Sequence, residues 1–129
     1  MTHYEQEIKR LTGLIFANQA QIDKVIATRR YIEANYEKDL NLDLLSETLF
    51  TSKFHLQRLF KKHYGLSPKQ YLISKRIEKA KELLKDGVSV TETCFCVGFE
   101  SLGSFSSLFK TRTGRSPKQF VKEQVSRSN

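Results

Sequence analysis

From Ile22 onward, apolar residues recur at intervals of three and four in short runs, and capping or breaking residues separate the runs. Such spacing lays one stripe along a helix. Ile22, Val25, Ile26 and Ile32 predict a helix over Ile22–Tyr36, with Asp23, Lys24, Arg30 and Glu33 on its other faces. Leu42, Leu45 and Leu49 predict a second helix, capped by Asn41 and running to Phe50. After Thr51 and Ser52, the residues Leu56, Leu59, Phe60 and His63 read as the buried stripe of a third helix at about 53–64, capped by Ser52 and stopped by Gly65. The opposite face of that helix holds Phe54, Gln57, Arg58 and Lys61. Two short helices joined by a tight turn, the second with a polar face, predict a helix-turn-helix.

Ser67-Pro68 is a restart signal, a capping serine with proline at the first helical position. The helix it opens is expected to reach Lys85, where Asp86-Gly87 interrupts it, a span of roughly 27 Å at about 1.5 Å per residue. Then the pattern recurs. F-K-K-H-Y-G-L-S-P-K-Q-Y at 60–71 lies over F-K-T-R-T-G-R-S-P-K-Q-F at 109–120, an offset of 49. Upstream of the turn the offset is 48, so Ser46 falls on Cys94 and Leu49 on Val97. Ser89 to Glu92 is a capping box opening a short helix with Val90, Thr93, Cys94 and Val97 inward. A turn at 98–101 leads to a helix at about 102–113, Gly114 ends it, and Ser116-Pro117 starts another.

Ahead of Ile22 the pattern is weaker. Ile8, Leu11 and Ile15 begin a near-heptad register that Ile22, Val25 and Ile32 continue, weakened by Gly13 and the polar Asn18. A dimerising coiled coil needs three or four sustained heptads. The favoured expectation for residues 1–21 is therefore an N-terminal extension, either an extra helix packed on the body or a linker remnant, partly helical. The organisation expected is all-α, with a first helix-turn-helix subdomain at 22–67, a long connecting helix at 68–86 and a second subdomain at 87–129.

Charge sharpens this picture. Residues 1–51 carry 6 basic and 8 acidic side chains, residues 52–81 carry 9 and 1, and residues 82–129 carry 7 and 5. The formal excess of +8 thus sits in one thirty-residue block that starts at the third helix, which suits a polyanionic partner. No apolar run approaches the roughly 20 residues of a membrane span, and the apolar stripes are committed to a core. With no leader pattern and two free thiols, the cytoplasm is the expected location. Cys94 and Cys96 would point about 200° apart on a helix, which disfavours a shared metal or a mutual disulfide. Three histidines, His3, His55 and His63, come with no nucleophile or metal-ligand spacing, so no catalytic, metal or cofactor site is expected.

The face of the third helix suits base reading. Gln can bond adenine bidentately, Arg can bond guanine, an aromatic can touch a thymine methyl, and lysines can meet phosphates. Two tandem units of this kind, each followed by F-K-x-x-x-G-x-S-P and separated by a long helix, resemble the DNA-binding domain of the AraC/XylS family of bacterial transcription regulators. The resemblance covers about Ile22 to Gln124. It is carried by S-K-F-H-L-Q-R-L-F-K-K in the first unit and by G-F-E-S with the F-K-x-x-x-G-x-S-P run in the second. It implies homeodomain-like helix-turn-helix subdomains that insert two recognition helices into successive major grooves of double-stranded DNA. It also implies RNA polymerase, and a ligand-sensing domain in a longer chain, as further partners.

By the same resemblance, Phe54, Gln57 and Arg58 fall on base-reading positions, and Leu102, Gly103, Ser104, Ser106 and Ser107 are their counterparts. The full candidate contact set is Ser52, Lys53, Phe54, Gln57, Arg58 and Lys61 in the first unit and Leu102, Ser104, Ser106, Ser107 and Lys110 in the second. Many family members carry arginine where this chain has Ser107. A serine hydroxyl distinguishes bases poorly, so the first unit is expected to carry most base specificity. The second is expected to anchor on the backbone through Lys110 and the helix start near Ser101. Phosphate contacts are expected from among Lys53, Lys61, Lys62, Lys69, Lys75, Arg76 and Lys79. The alternative reading is a helical protein-interaction adaptor without specific DNA binding, in which the charges solubilise and Phe54 is a docking anchor.

Overall fold

A computed structural model describes residues 2–128, with the side chain of residue 128 excluded. The described residues form seven helices and no strand: α1 (His3–Asn35), α2 (Leu42–Thr48), α3 (Lys53–Tyr64), α4 (Pro68–Lys85), α5 (Val90–Cys96), α6 (Leu102–Thr113) and α7 (Pro117–Ser128). Serine and asparagine caps set their starts. The backbone N–H of Leu44 donates to Asn41 Oδ1 at 2.9 Å, that of His55 to Ser52 Oγ at 3.1 Å, and that of Glu92 to Ser89 Oγ at 3.1 Å. Each bond satisfies a donor that the first helical turn leaves without a partner. Gly65 and Gly114 close α3 and α6 in the same left-handed conformation, each N–H donating at 2.8 Å to the carbonyl of Lys61 or Lys110.

The chain divides into two compact units, one of residues 2–31 with Asn41–Pro68 and one of Ile32–Leu40 with residues 69–128. In the first, Val25 of α1 and Leu56, Leu59 and Phe60 of α3 are buried, and Ser46 of α2 is buried with its hydroxyl donating to the Asp43 carbonyl at 2.8 Å. Its small side chain fills its own hydrogen-bonding need within the helix, so burial leaves no polar atom stranded. In the second, one core gathers Ile77, Ala80 and Leu84 of α4, Cys94, Val97, Phe99, Phe105, Phe109 and Phe120. The four phenylalanines run as a tilted and edge-to-face chain with centroids 5.3, 5.7 and 5.5 Å apart, the geometry that ring quadrupoles favour. Burial also pushes the Cys94 thiol pKa up.

Two features depart from the sequence expectations. Residues 3–21 are helical but do not form a separate helix packed on the body, because α1 runs unbroken from His3 to Asn35 with residues 8–20 exposed. Gly13 lies inside that helix with open space around it; one glycine costs a helix about 1 kcal/mol, too little to break it. The second departure is His63, which is exposed and does not extend the buried stripe of α3. Tyr64 takes the inward place instead, its ring 4.8 Å from that of Phe60 and faced by the Arg29 guanidinium at 5.8 Å.

Candidate nucleic-acid interface

With Leu56, Leu59 and Phe60 turned inward, α3 leaves Lys53, Phe54, Arg58 and Lys61 exposed and Gln57 half-buried. Phe54 keeps 68% of its surface open, unusual for a phenylalanine on a helix that has a core available to it. Ser52 is exposed and engaged as the cap. Lys53 is not wholly free, since its Nζ stands 3.6 Å from Asp43 Oδ1 on α2. Exposed pairs of this kind are worth about 1 kcal/mol or less, so a phosphate can displace the carboxylate.

The matching helix of the second unit, α6, turns Phe105 and Phe109 inward. Leu102, Gly103, Ser104, Ser107 and Lys110 are exposed and Ser106 is half-buried. Ser101 caps the helix, accepting from the backbone N–H of Ser104 at 3.2 Å. A Cβ built on Gly103 would meet nothing within 4 Å, so internal packing does not explain this glycine. Most of the sequence-derived candidates are thus solvent-exposed on or beside these two helices, with Gln57 and Ser106 half-buried.

Not every cation of the basic block is available. Arg76 is taken up inside the second unit: its Nε donates to the Tyr36 carbonyl at 2.7 Å, its Nη2 to the Lys38 carbonyl at 2.9 Å, and its guanidinium lies 5.6 Å from the Phe99 ring centroid. Burial pulls its pKa down, while Asp39, Glu100 and Glu37 act the other way. It holds the chain that follows α1, and it drops out of the candidate phosphate contacts. Lys79 donates to Glu82 at 3.3 Å, and that bond raises its pKa. Lys61, Lys62 and Lys69 are exposed and Lys75 is half-buried.

By the family resemblance Phe50 stands near a turn position often given to a small residue, and the structure shows what it does there. It stands in the turn between α2 and α3 with φ +55 and 93% of its surface exposed. The 48-residue offset held the signal, because Phe50 falls on Gly98, which has φ +103. Among the described residues, no group of three or more His, Cys, Asp or Glu could hold a metal ion, and no helix is long and apolar enough to cross a membrane.

Comparison with known proteins agrees with this geometry. A family model described as "Helix-turn-helix domain" matches residues 45–123. An uncharacterized HTH-type transcriptional regulator encoded in the cgkA 5′ region of Pseudoalteromonas carrageenovora is 37% identical over 106 residues, which are 81% of this chain and 63% of that protein. The C-terminal domain of AraT, a response regulator from Geobacillus stearothermophilus, superposes with a TM-score of 0.73 at 33% identity over 78% of this chain and 84% of that one. A probable AraC family transcriptional regulator from Rhodopseudomonas palustris gives 0.71 at 26% identity over 79% and 97%. The chain belongs to the helix-turn-helix DNA-binding domain family of AraC-type transcription regulators. It spans less than two-thirds of the length of curated relatives that it matches, 63% of one and 43% of another.

Proposed function

We propose that this chain binds double-stranded DNA sequence-specifically and regulates transcription, entering successive major grooves with α3 and α6. The observation that carries the reading is the face of α3, where Phe54, Arg58 and Lys61 stand exposed at the head of the basic block with no core role of their own. Gln57 and Arg58 read base edges, Phe54 meets a thymine methyl, and Ser52, Lys53 and Lys61 bond phosphates. On α6, Leu102 offers one apolar base contact, while Ser104, Ser106, Ser107 and Lys110 meet the backbone and its waters. The bare Cα of Gly103 lets a strand approach closely.

The functional division of the chain is then residues 22–67 and 87–129 as two homeodomain-like reading units, with 68–86 between them. Because the units are direct repeats, the site they read is not palindromic. RNA polymerase is the partner through which bound DNA becomes a transcriptional output, a ligand-sensing domain joins in a longer chain, and the cytoplasm is where both are met.

The test that separates this reading from a protein-interaction adaptor is DNA affinity measured against salt. With Arg76 occupied internally, the remaining lysines and Arg58 neutralise on the order of 6 phosphates, which gives a log-log slope near −5. A flat dependence would overturn the reading.

A further inference from the structure

We infer that Arg76 is a positioning residue for DNA reading, an inference that rests on α3 and α6 entering successive grooves. By holding the connector between α1 and α2 within the second unit, Arg76 sets the half-site spacing that the protein accepts. Among the described residues, the chain passes between the two compact units three times, after residues 31, 40 and 68. Ile32–Leu40 is therefore an excursion into the second unit between two stretches of the first. It comprises the last turn of α1 and the connector that leads to Asn41, the cap of α2.

Arg76, Gly98 and Tyr71 hold this excursion. Because α1 ends at Asn35, the carbonyls just beyond it have no helical N–H to accept from. Arg76 supplies the donors, Nε to the Tyr36 carbonyl at 2.7 Å and Nη2 to the Lys38 carbonyl at 2.9 Å. A planar fork can meet two carbonyls at once, and its charge suits the C-terminal end of a helix. Gly98, in the turn before α6, lies against the same connector, so near that a Cβ there would come 2.9 Å from the Tyr36 oxygen and 3.0 Å from the Glu37 carbonyl carbon. The Tyr71 hydroxyl donates to Glu33 in the last turn of α1. Ile32, in that same turn, is buried.

The consequence is a short tether. From Lys38, held by Arg76, the chain reaches Asn41 in a stretch that spans at most about 11 Å when fully extended. Asn41 accepts from the Leu44 N–H, so α2 begins directly at the end of that tether. Without Arg76 the slack runs from Asn35 to Asn41, a reach of about 22 Å. Loss of the fork also weakens the anchorage of the last turn of α1, which carries the crossing after residue 31. Each base pair added between two half-sites displaces one of them by about 3.4 Å and turns it by about 34° around the duplex. A doubled reach therefore admits spacings that the short tether refuses.

The experiment uses the full chain and a site recovered from a random DNA pool. Affinity is measured for that site and for versions with one or two base pairs added or removed between its halves. The parent is expected to lose on the order of tenfold at an altered spacing, since the duplex must deform to restore the fit. Arg76→Ala is expected to bind the original spacing nearly as the parent does, to lose severalfold less at altered spacings, and to keep its base preference within each half. Arg76→Lys keeps the charge without the fork and is expected to fall between the two. Tyr71→Phe, a nearly isosteric change that serves where Arg76→Ala fails to fold, is expected to relax spacing in the same direction. Leu84→Val trims the core of the second unit away from the connector and is expected to keep the parent's spacing profile. The log-log salt slope of Arg76→Ala is expected to equal the parent's, because Arg76 neutralises no phosphate. An unchanged spacing profile in Arg76→Ala and Tyr71→Phe, a slope reduced by about 1, or equal relaxation in Leu84→Val would each overturn the inference. Failure to recover any site would instead overturn the two-groove reading, and the inference with it.

Discussion

Gly98→Ala is expected to destabilise the second unit by about 3 kcal/mol or more, for two reasons that add. The residue sits at φ +103, and a new Cβ would lie 2.9 Å from the Tyr36 carbonyl oxygen, 3.0 Å from the Glu37 carbonyl carbon and 3.0 Å from Arg76 Nε. Holding a non-glycine residue in so sparsely populated a conformation costs about 1–3 kcal/mol. Forcing backbone atoms apart in a packed region costs about 1–3 kcal/mol again. The flexible guanidinium of Arg76 can give way, but the two backbone atoms cannot, and one of them, the Tyr36 oxygen, is itself held by Arg76. For a unit of this size each kcal/mol moves the midpoint by about 4–8 °C, so a loss on the order of 15 °C is expected in thermal unfolding followed by far-UV circular dichroism.

Phe50→Gly at the same turn position of the first unit is the control. Its left-handed backbone costs about 1–2 kcal/mol, its ring is almost fully exposed, and glycine returns about 0.5–1 kcal/mol of that through the unfolded chain. The expected net effect lies between neutral and a stabilisation of about 1 kcal/mol. Gly98→Ala within about 0.5 kcal/mol of the parent, or Phe50→Gly strongly destabilising, would refute this account of the two turns.

Arg58→Ala is expected to cost about 1–3 kcal/mol of binding and to relax preference at one or two base pairs of one half-site. Ser107→Ala should change base preference little; equal damage from both, scored on a panel of mutated sites, would show that the second groove is read by other contacts. Thiol reagents at neutral pH are expected to modify the exposed Cys96 and to spare Cys94, which is buried and has its pKa raised. Mass spectrometry of the native protein should find one adduct, and two after denaturation. Raised in the fold, the Cys94 pKa makes the folded state hold a proton that the unfolded state loses at alkaline pH, so stability should fall as pH climbs through the unfolded thiol's range. A Cys94→Ala variant that loses as much stability over that range as the parent would rule this out.

The starts of α2, α3, α5 and α6 were legible because caps are local chemistry: Asn41, Ser52, Ser89 and Ser101 each bond the backbone three residues on, within reach of a sequence window. The candidate contact face of α3 followed from helical spacing once the apolar stripe was known, and the counterpart positions on α6 were implied by the family resemblance. Arg76 was not legible, since its partners Tyr36 and Lys38 lie 40 and 38 residues away, and a charge count cannot tell a surface cation from one bonded to carbonyls. His63 was misread because the interval from Phe60 alone put it inward. Its repeat partner Arg112 is exposed and donates to Ser74 Oγ at 2.8 Å, so the repeat carried the better signal. Phe50 stood out in the sequence as a large residue near a turn position often given to a small one, and its repeat partner Gly98 shares its positive φ.

Selection of bound sites from a random double-stranded DNA pool tests the central claim most directly. The expected result is enrichment of one non-palindromic site about two major grooves long, with a strongly constrained half that Arg58→Ala relaxes and a weakly constrained half that Ser107→Ala leaves alone. No enrichment over the starting pool, or a site with strict two-fold symmetry within the span of one chain, would contradict it.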